Sequence, residues 1–177
     1  QGEYDKLILK MRTSKVIHAD ETGWRIDGEN AWTWVFTQPL LTLFVIDKSR
    51  GSKVIRDVLG EAFDGTLVSD FYAAHNEADC RKQKCLTHLL RELKQEGEKD
   101  ESFAKDDWVM RLNEWCKQAI AHKKKWKTLG DPKYEMGASR LEDRLDELIR
   151  SEPTHVEAKR LCKRLVKHRS SLTRFLW

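Results

Sequence analysis

Two aspartates stand where apolar, strand-like runs meet polar sequence. Asp20 lies inside Val16-Ile17-His18-Ala19-Asp20-Glu21-Thr22-Gly23-Trp24-Arg25-Ile26, and Asp70 ends Thr66-Leu67-Val68-Ser69-Asp70. An ionised carboxylate is costly inside a sheet unless something pairs with it. A pair of strand-borne carboxylates is what a divalent-metal site needs. Two magnesium ions about 4 Å apart, held by acidic oxygens, serve phosphoryl transfer between nucleic-acid strands: one activates the attacking hydroxyl and the other stabilises the leaving oxygen. Plainer readings stand beside that one: Asp20 as a strand-end residue making a turn hydrogen bond, Asp70 as a helix cap.

The chemistry requires the two strands to be neighbours, and the element order allows it. After a charged lead-in over residues 1–14, the Asp20 strand reaches Asp27-Gly28-Glu29-Asn30, a tight-turn sequence. It should then pair with Ala31-Trp32-Thr33-Trp34-Val35-Phe36-Thr37. Pro39 breaks the ladder, because proline has no N–H to donate, and Leu41-Thr42-Leu43-Phe44-Val45-Ile46 gives a third strand. Ser52 is placed to cap a helix carrying Val54, Ile55, Val58 and Leu59, with Gly60 as its stop. A helix between this meander and the Asp70 strand lets that strand lie parallel to the first. A short helix over Ala73 to Ala78, a fifth strand from Gln83 to Leu86 and a helix opening at His88 follow.

After Gly97 strand signals vanish. Val109, Leu112, Trp115, Cys116, Ala119 and Ile120 share one helical face. Gly130-Asp131-Pro132 reads as a breaker. Ser139-Arg140-Leu141-Glu142 and Thr154-His155-Val156-Glu157 read as capping boxes, the second leading a helix through Leu161, Leu165, His168, Leu172 and Phe175. The expected fold is α/β, with a five-stranded core over residues 1–97 and an all-helical region over 98–177.

The composition supports a folded protein with a real core: 40% hydrophobic residues and seven tryptophans in 177 residues. A net charge of +4 permits nucleic-acid binding without demanding it. Four unevenly spaced cysteines in a chain too large to need staples point to a reducing compartment. No run approaches a membrane span and no secretory leader is visible, so a soluble, intracellular protein with no membrane partner is expected. Beginning at Gln1 and ending in an apolar pattern at Trp177, the chain reads as a piece of a longer one.

Several segments together resemble the DDE transposases of bacterial insertion sequences, specifically the sixty-six group with its transposase C type. These are His18-Ala19-Asp20-Glu21-Thr22-Gly23-Trp24, the Trp32 and Trp34 strand, Arg50-Gly51, Leu67-Val68-Ser69-Asp70-Phe71-Tyr72-Ala73-Ala74, and Cys85-Leu86-Thr87-His88-Leu89-Leu90-Arg91-Glu92-Leu93. The resemblance is close over about residues 14 to 97. It implies a ribonuclease H-like mixed five-stranded sheet with a helical insertion, and Asp20 and Asp70 as the first two catalytic acids and metal ligands. It also implies magnesium, replaceable by manganese, and DNA cleavage at 3′ ends followed by strand transfer. The implied partners are transposon ends and target DNA, with a homo-oligomer on DNA, and the implied setting is the bacterial cytoplasm, in association with the nucleoid. The family's third acid, a glutamate, sits in an Asn-Asn-x-x-Glu segment. No such segment occurs among these residues, whose only asparagines are Asn30, Asn76 and Asn113. The expected fragment therefore holds two of three acids. A ribonuclease H-like nuclease or resolvase, and a non-catalytic DNA-binding module of the same fold, are the alternatives.

Cys85-x-x-His88 admits a half zinc site, but the spacing with His75 and Cys80 matches no common finger. By resemblance Cys85 and His88 lie near the active site, read here as a core thiol and a helix-start residue. Lys123-Lys124-Lys125-Trp126-Lys127 combines cations with an aromatic, which suits phosphate contact and base stacking, or simply a solvated helix end.

Overall fold

Asp27 and Gly28 both take positive φ, 51° and 82°, the conformation that a two-residue hairpin turn demands. β1 (Val16–Ile26) therefore folds straight back on β2 (Glu29–Gln38), and β3 (Leu41–Asp47) continues the antiparallel meander. The computed structural model describes residues 2–126 and 131–177. The chain forms two compact units, Gln1–Cys85 and Leu86–Trp177.

In the first unit α1 (Gly2–Arg12) precedes the sheet, and α2 (Ser52–Leu59) carries the chain from the meander to β4 (Thr66–Ser69). β4 lies parallel to β1, and β5 (Arg81–Lys84) parallel to β4. The sheet order is β3-β2-β1-β4-β5, a mixed ribonuclease H-like sheet. One face buries Ile17, Ala19, Trp34, Phe36 and Leu43 against Met11 of α1 and Val54, Ile55, Val58 and Leu59 of α2. Gly60 ends α2 at φ 72°. A β-carbon there would come within 3.1 Å of the Arg12 guanidinium, which donates to the carbonyls of Val58 and Asp57.

Local details differ from the sequence reading. The N-cap of α2 is Gly51, not Ser52, whose hydroxyl instead accepts from Arg56. β5 comes two residues earlier than expected, because β4 stops at Ser69 and the Cys85 N–H makes the last bond to the Ser69 carbonyl at 2.7 Å. Leu86 is thereby released to open the next helix, two residues before His88.

The second unit is helical: α3 (Leu86–Lys99), α4 (Glu101–Ala104), α5 (Asp107–Lys123), α6 (Pro132–Arg150) and α7 (Val156–Lys167), followed by 3₁₀ turns at Arg169–Ser171 and Arg174–Leu176. Gly97 lies within α3, where a β-carbon would press to 3.2 Å from the Ala104 methyl. The buried indoles of Trp108 and Trp115 donate to the carbonyls of Leu148 and Leu141 and so fasten α5 to α6. Ser139 starts no helix. α6 begins eight residues earlier at its N-cap Asp131, with Pro132 in the first turn. The cap of α7 is His155 rather than Thr154, and that helix ends at Lys167 instead of running to Phe175. No helix among the described residues is long and apolar enough to cross a membrane.

Asp106 joins the start of α5 to the segment before α7. It caps α5 through the Val109 N–H and accepts from the Thr154 N–H, the Thr154 hydroxyl and the His155 N–H. Burial opposes its charge, but the Thr154 hydroxyl and the backbone donors outweigh that and hold its carboxyl below the usual carboxylate range. Asp106→Ala should cost about 3 kcal/mol, as a lost cap together with buried donors left unmatched; urea unfolding checks this. A carboxyl whose folded pKa lies below its unfolded one stabilises at neutral pH, and that contribution fades as pH falls through the acid range. The gap between wild type and Asp106→Ala should accordingly shrink on acidification.

Candidate active site

The parallel ladder between β1 and β4 pairs Val16 with Thr66, Ile17 with Leu67 and His18 with Val68. Carried two residues further, that register sets Asp20 level with Asp70. Side chains alternate along a strand. Asp20 pairs with Val35, and Val35 with Phe44, so this row lies on the face opposite the α1/α2 core. Phe44 on that face is 63% exposed. The Asp20 Oδ1 accepts the Glu21 N–H at 3.0 Å. Asp70 follows the last laddered residue of β4, so contacts rather than strand phase orient it. Its Oδ1 accepts the Tyr72 N–H at 2.9 Å and lies 3.2 Å from His75 Nδ1.

Glu21 sits on the opposite phase from Asp20, among Ile17, Ala19 and the paired Trp34, and its side chain is 2% exposed. Burial raises its carboxyl above the usual range; the bond from Arg50 and the nearby His75 counter that in part. Arg50 reaches Glu21 Oε1 with two nitrogens at 2.8 and 3.0 Å. Its guanidinium lies over the rings of Tyr72 at 4.0 Å and Trp32 at 4.4 Å, a stacked arrangement that suits its flat, weakly hydrated cation. Tyr72 donates its hydroxyl to the Arg50 carbonyl, and Trp34 donates its indole N–H to the Ser49 carbonyl, which fixes the loop that presents Arg50. The buried His75 fills the space between Glu21 and Asp70.

Lys84 is 1% exposed and donates to the Asp70 carbonyl at 2.7 Å, so a cation already stands beside the second acid. Asp70 keeps 29% of its side chain open, whereas Glu21 is sealed under Arg50. Among the described residues no group of three or more His, Cys, Asp and Glu has the geometry to hold a metal. Two hard carboxylates do suit magnesium, which binds through one or two protein acids with water and phosphate oxygens in the remaining positions.

Cys85, half-buried with a free thiol, closes the first unit just after β5, and His88 lies in the first turn of α3 in the second unit. The nitrogens of His75 face carboxylates, and the Cys80 sulfur lies 3.1 Å from the Lys82 ammonium. In the basic run, the Lys123 ammonium sits 3.2 Å above the Trp126 ring, which also stacks on Tyr134. Lys124 and Lys125 are exposed, and Lys127 lies outside the described residues. Sequence reasoning missed Glu21, Arg50, His75 and Lys84 as members of the cluster. Glu21 did carry a signal: it is a charged residue in the phase that Ile17 and Ala19 mark as buried.

A ribonuclease H-like sheet with one acid in β1 and another directly after β4 sets the class of protein. A family model described as the Transposase IS66 family matches residues 1–177, and the chain belongs to that family of transposases. No curated protein and no solved structure matches the chain.

Arg50→Ala should strand a buried carboxylate and cost about 2 kcal/mol, less than for a fully buried pair because Arg50 is partly exposed. Adding Glu21→Gln should recover part of that loss. Without Arg50 the Glu21 carboxyl is raised further above its unfolded value, so the single variant should gain stability as pH falls from 7 towards 5. Denaturant midpoints across that range check the sign.

Proposed function

We propose that the chain is the part of a DDE transposase that brings the first two catalytic acids, Asp20 and Asp70, to one metal-binding site for DNA 3′-end cleavage and strand transfer. The parallel register of β1 and β4 carries this reading, because it levels two acids that lie 50 residues apart in sequence. Magnesium, or manganese in its place, would supply charge neutralisation and hydroxyl activation for in-line displacement. Asp20 would offer its oxygens from a rigid central strand. Asp70 would offer its own from the strand end, braced by the Tyr72 N–H. Residues 1–97 would form the catalytic core and residues 98–177 the helical insertion. Cys85 would be a core thiol and His88 a helix-start residue near the active site, and Lys123, Lys124, Lys125 and Lys127, with Trp126, would face the DNA backbone. Transposon ends and target DNA would be the partners, engaged by an oligomer.

The Asn-Asn-x-x-Glu segment that bears the third acid in the family does not occur in these 177 residues. The chain alone should therefore bind manganese through two acids and join no strands.

Manganese titration followed by the free-ion paramagnetic resonance signal tests the site. Asp20→Asn and Asp70→Asn should each weaken binding at least tenfold. Equal affinity in wild type and both variants would sink the two-acid site. DNA binding indifferent to metal and to Asp70→Asn would favour a non-catalytic DNA-binding module. Joined strands from the purified chain would show that the missing glutamate is not needed.

A further inference from the structure

His75 is wholly buried, yet both its ring nitrogens face acids. Nδ1 lies 3.2 Å from Asp70 Oδ1, and Nε2 lies 3.5 Å from Glu21 Oε2. The two nitrogens point to opposite sides of the ring, so the imidazole bridges the carboxylates and cannot join both in chelating one ion. Its plane is fixed by edge-on contacts with Trp34, 5.8 Å away at 67°, and Tyr72, 6.1 Å away at 81°. Behind it, Glu21 is clamped by Arg50, itself held over Trp32 and Tyr72. The Asp70 carboxylate thus leans on a chain of held side chains running Asp70, His75, Glu21, Arg50.

Both ring contacts are within reach, but neither is aligned as a full hydrogen bond, and Glu21 Oε2 also lacks an aligned donor. Buried polar atoms left without an aligned partner are destabilising. Contacts of this kind in a ligand-free site commonly tighten when the ligand arrives.

We infer that His75 is a positioning residue for Asp70: through Nδ1–H it sets the orientation in which the Asp70 carboxylate meets a divalent cation, and the buried Glu21–Arg50 pair holds the imidazole in place. This rests on the proposed role of Asp70 as a metal ligand. Partners that orient a ligating side chain typically change metal affinity by about 10- to 100-fold when removed.

Manganese affinity of the full 177-residue chain, measured by the free-ion resonance signal with thermal melts to verify folding, tests the inference. His75→Ala should bind at least tenfold more weakly than wild type. Should it fail to fold, the amide variants decide. The Asn side chain can place an N–H where Nδ1 stands, and His75→Asn should stay within about threefold of wild type if that donor carries the effect. The Gln side chain reaches instead toward the Nε2 position, so His75→Gln should lose affinity as the Ala variant does. A merely structural His75 would shift the melts and leave affinity unchanged. Folded variants that all bind like wild type, while Asp70→Asn does not bind, overturn this inference alone. If wild type itself fails to bind manganese, the metal-site reading falls and takes this inference with it.

Discussion

Three residue pairs, Val16 with Thr66, Ile17 with Leu67 and His18 with Val68, hold β1 beside β4, and the candidate site depends on them. Register in a sheet is all or nothing: a slip of one residue turns every side chain to the other face. Here the slip is prevented from both sides. Ile17 and Leu67 are wholly buried in the α1/α2 core, and Glu21 tolerates no other phase because its charge is matched only where Arg50 descends from the loop after β3. The register that buries the core is therefore the register that levels Asp20 with Asp70.

Burying Glu21 is costly, and much of the neighbourhood is built around that cost. Arg50 neutralises it, Trp32 and Tyr72 stack on Arg50, and the Trp34 indole ties down the loop that delivers Arg50. Replacing such a network by apolar side chains is often neutral or stabilising in other proteins, so its presence beside two further acids argues for a role in arranging charge. It leaves Asp70 partly open while His75 and Glu21 behind it are closed.

Much of this was legible in the residues, for identifiable reasons. The Asp27-Gly28 turn, the alternation of the first three strands and the stop at Gly60 are local rules, and local rules survive folding. The order of strands around one crossover helix then gave the sheet. What escaped were features made by tertiary context. The fifth strand is expected, but not its start at Arg81: Arg81 to Lys84 is all polar, and the ladder that β4 offers sets its bounds. His75 has no sequence signature that separates a surface imidazole from one wedged between acids. Gly130-Asp131-Pro132 reads as a break, although an N-cap acid followed by proline is also how a helix begins, and Asp131 is the cap of α6. Ser139 lost its capping role because Ala138 and Leu141 are buried along one continuous helix.

The central claim is that Asp20 and Asp70 share one metal-binding volume. A crystal soaked in manganese measures it most directly, through anomalous scattering at the end of β4. The account predicts a peak with carboxylate oxygens of both residues at direct bonding distance, as expected for a hard divalent ion with oxygen ligands. No peak there, with the two carboxylates turned apart on opposite faces of the sheet, would contradict it.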